Sequence, residues 1–231
     1  MMTENNNMPN NGVPNNDAVK ETTDTFNLLH ELLDWFCTIA LALAIALCIK
    51  FFLFDIVRVD GPSMYPTLVN NDRLLVTKIG YKPQRGDIII LDSTYKNRVA
   101  FYNEYEEIND TKLNVFSKCI LYFSLDHDLK RRYYVKRIIG MPGDTVDIQD
   151  GKVLVNGEVL DEPYYDGVTG ITDFATEYPF TVSDDCVFVM GDNRPNSKDS
   201  RSTALGEVPI KAISGKSQLR LWPVNSISVT K

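Results

Sequence analysis

The sequence is poor in the residues that bind metal ions and cross-link chains. Its 231 residues include two histidines and four cysteines. The cysteines are Cys37, Cys48, Cys119 and Cys186, and no pair has the C-x-x-C spacing of zinc sites and redox motifs. The sequence therefore predicts neither a zinc site nor a disulfide framework, and we expect no metal and no cofactor.

Positive charge is also scarce. Lysine and arginine number 24 against 31 acidic residues, which gives a net charge of -7. Nucleic-acid binding leaves a basic footprint, so this balance argues against a nucleic-acid partner. With 44% hydrophobic and 24% charged residues, the chain has the composition of one globular domain with attachments.

Large apolar residues are rare at the N-terminus, where asparagine is abundant. Such a segment cannot bury enough surface to offset the entropy lost on ordering, so we predict a disordered tail over residues 1–25.

A long apolar run follows, and only Lys50 and Asp55 are charged between Trp35 and Val57. About 20 such residues cross a bilayer as a helix, with the lysine reaching to the interface. We therefore predict a juxtamembrane and transmembrane helix over residues 26–57 and a lipid bilayer as partner. A cleaved signal peptide would begin with basic residues, whereas residues 1–34 hold six acidic residues and one lysine. A buried core helix is the other alternative.

The remainder, residues 58–231, has the pattern of a mostly β domain. Short apolar or alternating runs between turn residues predict strands at residues 73–79, 87–91, 133–139, 145–148, 152–155, 186–190 and 218–222. The turn Asn156-Gly157 is typical of hairpins, so we expect mostly antiparallel pairing.

Residues 94–132 interrupt this pattern. Leu113, Phe116, Ile120 and Phe123 have helical spacing, and the segment ends in a basic cluster. We predict a helical insert, either a surface element or an amphipathic piece that lies on the membrane.

Ser63 is placed unusually, between Pro62 and Pro66 and just after the apolar run. A serine nucleophile needs a base. His30 lies in an acidic stretch before the apolar run and His127 lies between two aspartates, so both are more simply solvated side chains. The search for a base therefore turns to lysine.

Lys136 stands within a predicted strand, where alternation places it on the face of Tyr134 and Ile138 and places Arg137 on the opposite face. Burial would lower the pKa of the ammonium group, and a neutral amine could accept the Ser63 proton. An ion-paired or partly solvated strand lysine is the alternative.

Two further patterns carry less information on their own. The polar run at residues 191–201, GDNRPNSKDSR, fits a calcium-like loop or a well hydrogen-bonded loop. Ser93 and Lys96 have the S-x-x-K spacing of penicillin-binding enzymes, but no S-D-N or K-T-G segment accompanies them.

Together these segments resemble the type I signal peptidases. DGPSMYPTL, RGDIIIL, YVKRIIGMPGD and GDNRPNSKDSR are similar to the successive boxes of that family, in the same order after a membrane span. The resemblance covers roughly residues 35–92 and 133–222. A self-cleaving repressor domain would share a serine and lysine but would bring a DNA-binding segment, and a silent scaffold could have lost either residue.

The resemblance implies a membrane-bound serine endopeptidase that removes N-terminal signal peptides from exported precursors after small-x-small motifs. It implies a fold of antiparallel β-sheet preceded by one transmembrane helix. Ser63 would be the nucleophile, Lys136 the general base and Ser197 the residue that orients the lysine. Supporting residues would be Asp192, Asp199 and Arg201, and the substrate pockets would be formed by Val57, Val59, Met64, Leu68, Tyr134 and Val135.

The family also implies a topology. The short N-terminal tail would be cytoplasmic and the domain over residues 58–231 extracytoplasmic, close to the secretion translocon and to its preprotein substrates. Lys50 near the end of the apolar run and basic residues that follow it, such as Arg58, would by the positive-inside rule favour the opposite orientation.

Overall fold

The computed structural model describes residues 16–49, 53–172 and 176–230. Two units are distinguished, Met1–Ile49 and Lys50–Lys231. The first contains helix α1 (Asn16–Cys48), which begins within the stretch predicted as a tail. Good helix formers such as Ala18, Lys20 and Glu21 account for this difference. Residues 1–15 of the predicted tail lie outside the described residues.

The second half of α1 has the properties of a membrane span. His30–Cys48 has a mean hydropathy of 1.9, and by length and composition this segment is sufficient to cross a bilayer. Its large side chains are exposed, for example Trp35 and Leu41. One apolar N-terminal helix is consistent with a membrane-anchored protein.

The helical prediction is wrong at its C-terminal end. We predicted helix to residue 57, but α1 ends at Cys48 and Phe54–Arg58 forms strand β1. These residues alternate between exposed and partly buried positions and pair with the next strand. The composition of such an apolar run fits a helix and a strand equally well. The pairing with β2 therefore determines that these residues form a strand.

The second unit is built from antiparallel strands, in agreement with the predicted fold class. The larger sheet has the order β1-β2-β11-β3-β4-β9-β10, with β12 paired to β11, and the smaller sheet has the order β7-β6-β5-β8. The strands are β2 (Arg73–Thr77), β3 (Ile88–Asp92), β4 (Tyr133–Gly140), β5 (Thr145–Gln149), β6 (Lys152–Val155), β7 (Glu158–Val159), β8 (Phe180–Thr181), β9 (Cys186–Met190), β10 (Val208–Pro209), β11 (Ile213–Trp222) and β12 (Ser228–Val229).

The insert is helical, as predicted. It contains α2 (Tyr95–Ile108) and α3 (Val115–Ser124). A buried ion pair between Arg98 of α2 and Asp92 at the end of β3 fixes α2 to the larger sheet. The side chain of Asn114 caps α3 by accepting a hydrogen bond from the Ser117 N–H at 2.8 Å.

One of the apolar clusters in the core supports the loop that contains Ser63. Val59, Met64 and Leu68 from this loop pack with Leu74 and Val76 of β2 and with two isoleucines of the β3 region. Their burial fixes the path of the β1–β2 loop on the larger sheet.

Candidate active site

Ser63 lies in the loop between β1 and β2, and backbone hydrogen bonds close the base of this loop. The Val59 N–H donates to the Asp72 carbonyl at 2.8 Å, and the Asn71 N–H donates to the Val59 carbonyl at 3.0 Å. Met64 and Leu68 are each 1% exposed. Because these two side chains are buried on its C-terminal side, Ser63 is held partly exposed at the surface of the sheet.

Lys136 extends from β4, a strand inside the larger sheet, to the Ser63 hydroxyl. The Lys136 Nζ and Ser63 Oγ atoms are 2.8 Å apart, and Nζ also donates to the Val135 carbonyl at 3.0 Å. The lysine is 3% exposed, and its Nζ lies 5.3 Å from the centre of the Tyr134 ring. The structure therefore brings the two residues singled out in the sequence into direct hydrogen-bond contact.

Burial lowers the pKa of Lys136 from its ordinary value of 10.5 to about 8. The negative charges of Asp199 and Asp192 raise this pKa and so oppose the effect of burial, while the Arg201 charge lowers it further. Loss of hydration dominates because an ammonium group held away from water has few groups to replace its hydration shell. A substantial fraction of the amine is consequently neutral near pH 8.

Arg137 points to the opposite face of β4, as the alternation predicts. Its guanidinium binds Asp192 through two hydrogen bonds of 2.8 and 2.7 Å and donates to the Gly86 carbonyl at 2.8 Å. The Thr67 hydroxyl donates to the same carboxylate at 2.5 Å. Asp192 therefore connects β4, the Ser63 loop and the loop that follows β9.

Ser197 does not make the contact that we expected. It is 8% exposed, and among the described residues its Oγ has no hydrogen-bond partner. The hydrogen bonds of Lys136 Nζ go to Ser63 and Val135 instead. The predicted hydrogen bond from Ser197 to Lys136 is therefore not formed in this structure. The resemblance alone implied this bond, because a loop has no periodicity from which the direction of its side chains could be deduced.

Gly191 allows the Ser63 and Ser197 loops to approach each other. A Cβ atom at this position would lie 2.3 Å from Ser197 Oγ and 2.4 Å from the Ser63 carbonyl oxygen. The Asn193 N–H donates to that carbonyl at 3.1 Å. Any side chain at position 191 would therefore force the two loops apart.

Asp199 and Arg201 form a buried ion pair behind the site. The Arg201 Nε and Asp199 Oδ1 atoms are 2.9 Å apart, and the residues are 2% and 0% exposed. Asp199 Oδ2 also accepts from the Gly191 N–H at 3.0 Å, and Arg201 donates to the Arg194 carbonyl at 2.6 Å. These bonds hold the loop after β9 in a single conformation.

A cavity of about 270 Å³ adjoins Ser63 and Lys136. Four of the six residues predicted to form substrate pockets line it, namely Val57, Val59, Tyr134 and Val135. Met64 and Leu68 do not line this cavity, and their side chains are buried in the same core cluster as Val59. Apolar character in the sequence does not separate residues that only pack in the core from residues that also line a pocket.

Several residues that line the cavity were missed by sequence reasoning, and two of them belong to the loop after β9. Asn196 and Lys198 flank Ser197 and both line the cavity. Their only sequence signal is membership of the polar run at residues 191–201, which does not show which side chains face the cavity.

A serine hydroxyl that contacts a buried amine of lowered pKa, beside a cavity, meets the requirements of a serine hydrolase with a lysine base. A family model described as "Signal peptidase, peptidase S26" matches residues 32–222. Signal peptidase I of Bacillus licheniformis is 35% identical over 216 residues, covering 88% of this chain and 96% of its own length. Signal peptidase I of Leptolyngbya laminosa is 35% identical over 199 residues, covering 85% and 82%.

A solved signal peptidase I structure from Enterococcus faecalis V583 is 28% identical and covers 59% of this chain and 97% of its own, with a TM-score of 0.38. On the family match and the curated relatives, the chain belongs to the signal peptidase family S26. It is a serine protease that removes signal peptides from preproteins.

Proposed function

We propose that Ser63 is the nucleophile and Lys136 the general base of this signal peptidase, and that it cleaves after small-x-small motifs. The observation that carries the proposal is the 2.8 Å contact between Ser63 Oγ and a buried Lys136 Nζ. A serine becomes nucleophilic when a base lies within hydrogen-bond reach, and a lysine serves as base only when it is neutral.

The catalytic cycle follows from this contact. Ser63 Oγ attacks the carbonyl carbon of the scissile bond while its proton passes to neutral Lys136 Nζ. The C–N bond then breaks, and Lys136 returns the proton to the leaving amine, which leaves an ester on Ser63. A water molecule gives a proton to Lys136 and attacks the ester; as the bond to Ser63 Oγ breaks, Lys136 returns this proton to Oγ, and the signal peptide leaves as a carboxylic acid that ionises in water.

The negative oxygen of each tetrahedral intermediate needs hydrogen-bond donors. The backbone N–H of Ser63 is the natural first donor because it adjoins the reacting atom. Gly61, whose φ is 93°, has no side chain and so offers no hydroxyl group. Pro62 has no N–H. The second donor must therefore come from another residue or from the substrate complex.

The cavity supports the proposed preference for small residues. Val57, Val59, Tyr134 and Val135 give part of its lining an apolar character, beside polar side chains such as Asn196, and its volume of about 270 Å³ is modest. Side chains one and three positions before the cleavage point of an extended peptide point in the same direction. Two small side chains at these positions could therefore enter one shallow apolar surface, while the residue between them faces away.

The supporting roles of Asp192, Asp199 and Arg201 rest on their buried hydrogen bonds. We assign them to fixing the Ser63 loop and the loop after β9 rather than to chemistry. In the cell we assign the domain over residues 58–231 to the extracytoplasmic side, held by α1 in the bilayer and close to the translocon from which preproteins emerge.

Processing of a precursor by the full-length protein in detergent tests the assignment. Ser63→Ala and Lys136→Ala should each reduce cleavage by roughly 10⁴- to 10⁶-fold, as expected when a residue acts directly in bond making. Ser93→Ala and Lys96→Ala serve as matched controls, because this serine and lysine have the S-x-x-K spacing but lie apart from the cavity beside Ser63. Cleavage that survives Lys136→Ala would contradict the proposal.

A further inference from the structure

Helix α3 exposes its apolar side chains to solvent. Val115 is 88% exposed, Phe116 73%, Ile120 56% and Phe123 75%, and Cys119 is exposed as well. At roughly 100° per residue these five side chains fall within about 140° of the helix circumference. They form one continuous stripe, which we call the α3 stripe.

The opposite side of α3 faces the rest of the insert and carries Lys118 and Tyr122 beside the half-buried Leu121. Lys118 forms an ion pair with Glu106 of α2 at 3.1 Å, and its Nζ lies 5.6 Å from the centre of the Tyr102 ring. The Tyr122 hydroxyl accepts a hydrogen bond from the Arg131 N–H at 3.2 Å. A surface helix of a globular domain normally directs its apolar side inward. The orientation of α3 is the reverse, which indicates a binding surface on the stripe.

Charge identifies what the stripe binds. Residues 111–132 carry five basic side chains and two acidic ones within a chain whose net charge is -7. The basic residues are Lys112, Lys118, Lys130, Arg131 and Arg132, of which Lys118 pairs with Glu106 and Arg132 with Asp128. Lys112 therefore precedes the helix, and Lys130 and Arg131 follow it, as the basic flanks. A short helix with an apolar stripe and basic flanks is typical of peptides that lie in the interface of an anionic bilayer.

The same chain also contains a segment, His30–Cys48, that is sufficient to cross a bilayer. We propose that α3 docks on the surface of an anionic lipid bilayer and inserts Phe116, Ile120 and Phe123 into the boundary between headgroups and acyl chains. The proposal is independent of the roles of Ser63 and Lys136.

Contacts within the domain give this docking a consequence for the active site. The buried Asp92–Arg98 ion pair attaches the insert to the end of β3. Strand β3 pairs with β4, with Ile89 opposite Lys136. A bilayer contact at α3 therefore restrains the orientation of the strand that carries the proposed base.

The test uses the full-length protein reconstituted in vesicles of phosphatidylcholine and phosphatidylglycerol. A bimane probe is attached to Cys119 after the other three cysteines are replaced by serine, and its quenching by lipids brominated roughly 5–10 Å below the headgroups is measured. Glu158→Cys in a chain without other cysteines gives the control, because Glu158 is exposed on the smaller sheet. We expect strong quenching at residue 119, weak quenching at residue 158, and less quenching at 119 when phosphatidylglycerol is omitted.

A double variant, Phe116→Ser with Phe123→Ser, should lower the quenching at Cys119 to the level of the control. Both side chains are exposed, so the fold and the cleavage of a short peptide in detergent should be unchanged. Equal quenching at residues 119 and 158 would overturn the proposal. So would an unquenched Cys119 that cross-links to a second copy or to another protein, because the stripe would then be a protein interface.

Discussion

At the scale of the residue, the chemistry depends on the protonation state of Lys136. Its Nζ lies 2.8 Å from Ser63 Oγ, and only the neutral amine can accept the serine proton. The same burial that makes the neutral form accessible also makes the charged form costly. These two consequences predict separate pH dependences, one for the rate and one for stability.

The rate should rise with pH through the pKa of Lys136, which burial lowers to about 8. Below this pKa the neutral fraction, and with it kcat/KM for a peptide substrate, should fall about tenfold for each pH unit. Initial rates between about pH 6 and 10 measure this limb. An acidic limb near the ordinary pKa of lysine, or the absence of an acidic limb, would contradict the assignment of neutral Lys136 as the base.

Asp199→Asn offers a directional control for this profile. The Asp199 charge raises the pKa of Lys136, so its removal should move the acidic limb to lower pH. Because Asp199 is buried and paired with Arg201, retention of the fold is checked by circular dichroism before the profile is interpreted.

Stability should depend on pH in a related way. Between about pH 8 and 10.5 the unfolded chain holds a proton on Lys136 that the folded chain has lost, so the free energy of unfolding rises with pH in this window. Below about pH 8 both states are protonated, and the folded protein carries the full cost of a buried ammonium group, about 3 kcal/mol. Lys136→Met should therefore increase stability relative to the wild type near neutral pH, and this advantage should shrink as the pH rises from about 8 to 10.5.

Denaturant unfolding at several pH values measures this difference. Lys152→Met is the matched control, since Lys152 is an exposed strand lysine on β6. The Lys136→Met variant loses the hydrogen bonds to Ser63 and Val135, which lowers its stability at every pH. The decisive observation is therefore how the stability difference from the wild type changes with pH. An Lys136→Met advantage that does not change with pH would show that the buried amine is not the cause.

At the scale of the element, the directions of side chains can be predicted from the sequence in strands but not in loops. The two-residue period of β4 predicts that Lys136 and Arg137 point to opposite faces, and their contacts with Ser63 and Asp192 lie on opposite sides. The residues around Ser197 have no such period. The composition of the sequence therefore identifies that loop. It does not reveal that Lys198 lines the cavity or that Ser197 Oγ has no hydrogen-bond partner within the described part of the chain.

Strand β1 shows a second limit of the same kind. Its residues continue an apolar run, and local composition assigns them to the preceding helix. Antiparallel pairing with β2, from Phe54 opposite Thr77 to Arg58 opposite Arg73, makes them a strand. This pairing joins residues that the whole Ser63 loop separates, so a local sequence pattern does not predict it. The two-residue strands β8 and β10 also depend on partners far away along the chain, β5 and β9.

At the scale of the whole molecule, the basic residues near the membrane span and the family resemblance predict opposite membrane topologies. Basic residues after the apolar run, including Arg58 and Arg73, would by the positive-inside rule retain the domain in the cytoplasm. Long segments translocate largely regardless of their charge, and a cytoplasmic enzyme would not meet signal peptides on the side where exported precursors emerge. We therefore expect the domain after Arg58 to be extracytoplasmic.

Single cysteines in an otherwise cysteine-free chain test this orientation in intact bacterial cells. Glu158→Cys, on the exposed edge of the smaller sheet, should react with a membrane-impermeant maleimide without permeabilisation. Glu4→Cys, in the N-terminal segment, should react only after the membrane is opened. The reverse pattern would place the active site in the cytoplasm, in which case the basic residues after the span rather than the translocation of the large domain would determine the topology of this protein.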